Sequence, residues 1–335
     1  MYLLTFIVKR LLWLVPSVFG IIVITFVISH VIPADPVRLA AGDTATPEQV
    51  AALREELGFD RPLVVQLWYY VQNLVQGDLG ESLFTGRPVV EDLLGRLPAT
   101  IELTLVAMIF SIVVGIPLGV VSALRRNSLL DHVVRIVTVS GLAIASFWLG
   151  IMLQLAFAMH FDWLPLGGRF DGFPPPTVTG FLLIDTLIDG DWEGFGNAFS
   201  HLLLPALTLA FPALATIVRF TRAGVLDVIQ SPYVLHERAM GFPPSVIVWK
   251  YVLRNALVAT VTQIGLLFGI LLAGAVVIEA VFDWPGLGYY AVNSIVMSDY
   301  NAVLGFTVWA GVIYMLVNLA VDVVLVLIDP RRSAA

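Results

Sequence analysis

Six transmembrane helices in an all-α, polytopic membrane fold are what this chain of 335 residues predicts. Three observations lead there. The chain is 59% apolar and only 13% charged, roughly half the charge of a soluble domain. The charges leave six uncharged windows, each long enough to cross a hydrocarbon core about 30 Å thick at ~20 residues per helix. The basic residues gather between alternate windows, as the positive-inside rule requires. The same composition, with a net charge of −7 and only two lysines, Lys9 and Lys250, excludes a disordered chain, a coiled coil and a nucleic-acid binder. Because cysteine is absent, disulfides, zinc ribbons, iron–sulfur clusters and thiol catalysis are excluded too.

In order, the windows run Leu11 to Ala34, Leu103 to Leu124, Ile136 to Phe161, Gly194 to Val218, Asn255 to Ile278, and Tyr300 to Val321. The first is too long for a signal peptide and lacks a small-residue cleavage site, so it reads as a retained span. A shorter uncharged run, Pro62 to Gly77, sets Gln66, Gln72, Asn73 and Gln76 opposite a stripe of Leu63, Val64, Leu67, Trp68, Val71, Leu74 and Val75. That pattern predicts an amphipathic helix lying on a surface rather than a seventh span. With the N-terminus in the cytoplasm, twelve basic residues fall inside and six outside, and six spans return the C-terminus to the cytoplasm.

The resulting organisation is a first helix at 1–34, an extracytoplasmic helical cap at 35–98, and a core at 99–330. The core carries an outer loop at 162–200 and an inner loop at 219–254. Within the cap, Thr46 is a helix start, with Pro47 at the first helical position and Gln49 completing a capping box, and Gly58 is a stop. Gly77 ends the next helix in the same way. Pro174, Pro175 and Pro176 in the outer loop predict an ordered or partly mobile segment.

No G-x-x-x-x-G-K-[ST] phosphate loop is present, so ATP hydrolysis, if any, belongs to another polypeptide. His236-Glu237 opens a metalloprotease motif that fails at Met240, where the second histidine should stand. The other histidines, His30, His132, His160 and His201, are scattered, and no metal constellation appears. Ionisable groups within the spans are few. Asp322 lies one turn from Asn318, and Glu102 and Glu279 sit at span ends; they read as hydrogen-bonded helix contacts or interfacial carboxylates. Gly115/Gly119 and Gly265/Gly269 form G-x-x-x-G pairs that allow close helix approach. The polar residues Gln154, Thr260, Thr262, Gln263 and Asn318 either line a path or bond to neighbouring helices, and the second reading is the plainer one.

The longest inner connection, Arg219 to Arg254, reads as two helical pieces around Gly241-Phe242-Pro243-Pro244. A short helix closed by Gly241 and a proline-enforced turn makes a compact knob, suited either to dock in a groove of a soluble partner or to anchor the loop at the interface. Here the residues resemble a family. Ser231-Pro232-Tyr233-Val234-Leu235-His236-Glu237-Arg238-Ala239-Met240-Gly241, followed by Tyr251-Val252-Leu253-Arg254-Asn255-Ala256-Leu257, is similar to the EAA loop of ABC importer permeases, in the form used by the dipeptide, oligopeptide and nickel group. Matches run the whole length, from Ile32-Pro33-Ala34-Asp35-Pro36 through Gly77-Asp78-Leu79-Gly80 and Phe282-Asp283-Trp284-Pro285-Gly286 to Asp329-Pro330-Arg331. Thr179 to Thr186 in the outer loop most resembles the dipeptide permeases.

The resemblance implies a type I ABC importer permease fold in a bacterial cytoplasmic (inner) membrane. It also implies partners: a homologous second permease, two cytoplasmic ATPases that bind ATP and Mg, and an extracytoplasmic substrate-binding protein. The chain itself would carry no cofactor and would not be an enzyme. Tyr233, Val234, His236, Glu237, Arg238, Ala239 and Met240 would supply the surface that enters the ATPase groove, with Gly241 closing the coupling helix. Four positions depart from the family's habit: Glu237 stands where a small residue is usual, Met240 where Lys is, Pro232 where an acid is common, and Ala145 where Pro precedes Phe147-Trp148. The cargo implied is a di- or oligopeptide, with nickel chelates, glutathione or another small solute as alternatives. An ATP-independent carrier would need coupling-ion residues and internal repeats, and an intramembrane enzyme would need a partner for Asp322; neither is seen.

Overall fold

The computed structural model describes residues 2–31, 45–56 and 60–328; the motifs at Ile32–Pro36 and Asp329–Arg331 and the stop at Gly58 lie outside the described residues. Among these residues the only strand-like pairing is a single antiparallel bridge between Glu81 and Pro88. The helices are α1 (Tyr2–Val31), α2 (Pro47–Glu56), α3 (Leu63–Val75), α4 (Val89–Leu124), α5 (Leu129–Ala143), α6 (Ser146–Leu153) and α7 (Leu182–Asp189). They continue with α8 (Trp192–Val228), α9 (Pro232–Ala239), α10 (Pro244–Val246), α11 (Leu253–Val281), α12 (Leu287–Val296) and α13 (Tyr300–Ile328). π-Helical turns extend α6 over Gln154–His160 and join α10 to α11 over Ile247–Val252.

Among the described residues, five stretches are long and apolar enough to cross a membrane: Arg10–Ile28, Val89–Leu124, Trp192–Val228, Pro244–Val281 and Tyr300–Val323. The sixth expected span, Ile136 to Phe161, is not one rod. α5 and the α6 segment meet at a bend of 110°. Ile144 (φ −79°, ψ 130°) and Ala145 (φ −64°, ψ 128°) both leave the helical region there, and the Ile144 N–H is satisfied by the Ser140 carbonyl. A window defined by missing charge cannot register this bend, because both arms are apolar.

The chain divides into two compact units, 1–98 with 286–319 and 99–285 with 320–335. In the first, the capping box is in place: the Gln49 side chain accepts from the Thr46 N–H at 2.9 Å, and the Thr46 hydroxyl accepts from the Gln49 N–H at 3.4 Å. Leu79, Val89, Leu93, Leu287, Tyr290 and Ala302 form its buried cluster. The Asp299 carboxylate pins the loop before α4 by accepting from the Ser82 hydroxyl and from the Phe84 N–H at 3.2 Å, while capping α13 through the Ala302 N–H at 3.2 Å. On α4, Asp92 accepts from Thr85 at 2.6 Å and pairs with Arg96 at 2.8 Å, and the Arg96 guanidinium lies 4.6 Å from the Tyr290 ring centre.

The second unit is built on α8, whose buried face, from Leu202 to Val225, is enclosed by α4, α5, α6 and α11. Gly115 and Gly119 of α4 face Ile217 and Thr221 of α8, which identifies what this G-x-x-x-G pair packs against. Gly224 does the same towards α11: a Cβ there would lie 2.5 Å from the Ala256 carbonyl oxygen. α8 also runs ten residues past its expected end, carrying Arg219 and Arg222 within the helix rather than in a loop.

The segment between α6 and α8 is ordered. Glu102 receives the Arg169 guanidinium and the Leu183 N–H, and the Trp284 indole donates to the Ala99 carbonyl at 3.0 Å. Glu102 is thus a hydrogen-bonded contact between elements. Asp185 accepts from the Thr179 hydroxyl and N–H and the Gly180 N–H. Burial alone would raise its carboxyl, but these donors hold it below the ordinary carboxylate value.

Candidate functional site: a glycine-closed knob before α11

Helix α9 owes its limits to three residues. Ser231 is extended (φ −69°, ψ 147°) and Pro232 occupies the first helical position, where its missing N–H costs nothing. Gly241, at φ +82°, ends the helix in a left-handed turn. The Phe242 N–H reaches the Glu237 carbonyl at 3.3 Å and the Gly241 N–H the Arg238 carbonyl at 3.0 Å, the paired bonds of a Schellman stop. Pro243 and Pro244 then redirect the chain into the π-helical turn that feeds α11.

The knob is attached by one side chain. Val234 is 0% exposed and sits among Val120 and Ala123 of α4, Val225 of α8, and Ile247, Val248, Val252 and Ala256 around the start of α11. Burying such a side chain contributes about 1.5–3 kcal/mol. Val234 therefore leaves the set of residues expected to form the docking surface; in a helix this short, one position must face inward to hold it. A polar tether supports it, with the Asn255 amide donating to the Tyr233 hydroxyl at 2.8 Å and to the Tyr251 carbonyl at 3.0 Å. Tyr233, despite that tether, and Leu235, His236, Arg238, Ala239 and Met240 are exposed, with Leu235 at 54% and Glu237 half-buried. Exposed Phe242 adds a further apolar group beside Gly241.

Beneath the knob lies a group that the sequence reading passed over. Asp131, fully buried in the first turn of α5, accepts from Ser122 at 2.6 Å, from the Asn127 N–H at 3.0 Å and from Arg222 Nε and Nη2 at 2.8 and 2.9 Å. This bidentate pair joins α4, α5 and α8 at the level where α9 is anchored, and it accounts for Arg222 within a helix. The Ser128–Asp131 spacing, a capping-box pattern, was the available signal; the Asp131 N–H does reach Ser128 Oγ, at 3.3 Å.

The five polar residues considered as path-lining are not brought together. Gln154 donates to the Leu166 carbonyl at 2.8 Å and the Val281 carbonyl at 3.1 Å, tying the segment between α6 and α8 to the far end of α11. Thr260 is fully buried against Thr221 of α8 at 3.3 Å, and stands 21 residues before Val281, or roughly 30 Å along the helix. It is a helix contact and lines nothing. Thr262 bonds back to the Val258 carbonyl at 3.1 Å and Asn318 to the Tyr314 carbonyl at 2.9 Å, while Gln263 is half-buried.

Residues 115–334 match the family of the binding-protein-dependent transport system inner membrane component, and residues 3–104 match the N-terminal part of such membrane components. Curated relatives extend over nearly the whole chain. The probable D,D-dipeptide transport system permease protein DdpB of Escherichia coli K12 is 48% identical over 97% of this chain and 96% of its own length. The di/tripeptide transport system permease protein DppB of Pseudomonas aeruginosa is 41% identical, covering 98% of both chains. The glutathione transport system permease protein GsiC of Escherichia coli O6:H1 is 36% identical over 98% of both. A buried anchor, a glycine-closed knob and full-length kinship converge, and the chain belongs to the family of inner membrane components of binding-protein-dependent ABC importers.

Proposed function

We propose that this chain is one of two permease subunits enclosing the path of an ATP-driven importer for short peptides, in a bacterial inner membrane with both termini cytoplasmic. The observation that carries this reading is the knob: a stiff two-turn helix, exposed on one face and fixed to the ends of α4, α8 and α11 on the other. Two ATPases closing on ATP would move the two knobs as rigid bodies. Because Val234 ties each knob to the ends of α4, α8 and α11, and the Asp131–Arg222 pair in turn ties α5 to α8 with Ser122 of α4, the motion reaches the spans as a lever rather than being lost in a loop. The knob surface is Tyr233, Leu235, His236, half-buried Glu237, Arg238, Ala239 and Met240, closed by Gly241. Of the polar set, all but the buried Thr260 (Gln154, Thr262, Gln263 and Asn318) retain side-chain surface to offer a path.

Short peptides are favoured as cargo because the relatives named above are designated for a D,D-dipeptide, di- and tripeptides, and glutathione. An extracytoplasmic binding protein would deliver the peptide to the outer face, and ATP with Mg would be bound by the partner subunits. The test is to extract the tagged chain in mild detergent and identify what co-purifies by mass spectrometry. A second six-span permease with ATPases bearing phosphate loops is the expected result. A solitary chain that moves solute without ATP would overturn the proposal. Competition of labelled dipeptide uptake by nickel chelates or glutathione then decides the cargo.

A further inference from the structure

The geometry points to α3 as a helix seated in the outer membrane–water boundary, its exposed apolar flank held by lipid rather than by a protein partner. Three features of the first unit carry this. The helix is split lengthwise into three strips, because residues advance by about 100° each. Leu67, Tyr70, Val71 and Leu74 form one strip, half-buried against the protein, with Leu74 on the Leu79/Val89 cluster. Val64, Trp68 and Val75 form a second strip, falling within roughly 40° of one another, and are 79%, 68% and 81% exposed. Gln72, Gln76 and Asn73 continue round the helix as a third, exposed sector that brings in polar groups, interleaved with the exposed Val65 and Tyr69.

An apolar strip and a polar strip on opposite sides of the protein contact are what a boundary helix needs. One flank enters the acyl region while the other stays in water, and Trp at the junction suits the headgroup level. The depth is set independently. Tyr70 packs on Phe26 at a ring separation of 6.2 Å, and Phe26 lies two residues inside the outer end of the apolar window Arg10–Ile28. Tyr70, midway along α3, is thus at the level of that end, where α1 also exposes Ile24, Val27 and Ile28. A binding protein seated on the cap would meet the polar strip instead.

Because the chain has no cysteine, each variant adds one site to it, and the parent complex labelled in parallel gives the background from the co-purified subunits. Single variants Val64→Cys, Val75→Cys and Gln72→Cys of the full chain, nitroxide-labelled and reconstituted with co-purified subunits in phosphatidylethanolamine/phosphatidylglycerol vesicles, are compared for relaxation by oxygen and by a water-soluble nickel chelate. The expected result is oxygen contact several-fold above nickel contact at positions 64 and 75, and the reverse at 72. Nickel contact prevailing at all three would place the strip in water. Immobile labels at 64 and 75 shielded from both reagents would place a protein there. Either result overturns the inference.

Discussion

Replacing Gly119 by alanine tests the packing on which the permease core depends. A Cβ at this position would lie 2.7 Å from the Thr221 Cβ and 2.9 Å from the Val218 carbonyl oxygen, where ordinary contacts are 3.4–4 Å. One obstacle is backbone, so no rotamer change relieves it, and α4 and α8 must part by about 1 Å. The same helix provides two references. At Gly115 the nearest atom is the Ile217 Cγ2 methyl, at 2.9 Å, which can swing aside; at Gly95 nothing lies within 4 Å. All three substitutions gain the same alanine helix preference of about 1 kcal/mol, so their differences report packing. Gly119→Ala is expected to be less stable than Gly95→Ala by about 1–3 kcal/mol, with Gly115→Ala between. The assay is the thermal midpoint for loss of the monodisperse peak in size-exclusion chromatography in mild detergent. Equal midpoints for the 95 and 119 variants would refute close approach of α4 and α8.

Ala145→Pro should stabilise the bend by about 0.4–1 kcal/mol, because φ is already −64°, Ile144 is already extended, and the Ala145 carbonyl keeps its bond from the Leu149 N–H; a lowered thermal midpoint would contradict this. Arg222→Ala leaves the buried Asp131 carboxylate with only Arg135, 4.0 Å away and half-exposed, as a cation and should cost about 3 kcal/mol, seen as loss of folded protein; partial recovery by a second change, Asp131→Asn, would show that under-compensated charge is the cause. The Asp185 carboxyl lies below its ordinary value in the fold, so its contribution is present above the ordinary carboxylate range and is lost as pH falls through the lowered value. Amide protection factors around 178–186, corrected for the intrinsic exchange rate at each pH, should fall on acidification and lose that dependence in Asp185→Asn; pH-independent protection factors in the parent would count against it. Glu237→Arg should weaken ATPase docking and lower ATPase stimulation and uptake together, and parental values for both would contradict the proposed surface.

The spans were legible because a bilayer leaves so few solutions: a segment without charge and of the right length must be a helix. The capping box at Thr46 and the stop at Gly241 were legible for an equally local reason, since each depends on backbone donors within a few residues. What escaped was set by distant partners. The end of α8 was placed at Val218 because Arg219 and Arg222 carry charge, whereas Asp131, 91 residues away, takes up the Arg222 charge and lets the helix continue. The inward face of Val234 depends on side chains from three other helices. Thr260 looked the same as a path residue until Thr221 was found across the α8–α11 contact. Polar residues in apolar helices have these two fates, and only the packing distinguishes them.

The central claim is that the exposed face of α9 engages an ATPase while Val234 holds the helix to the bundle. The most direct measurement places a photoactivatable cysteine-linked cross-linker at Leu235→Cys, and separately at Val234→Cys, in the otherwise cysteine-free chain, within membranes containing the co-expressed subunits. Position 235, 54% exposed, should cross-link to an ATPase subunit in an ATP-sensitive manner, and position 234, at 0%, should label poorly and capture only this chain. Capture of lipid alone from 235, or of an ATPase from 234 in preference to 235, would contradict the account.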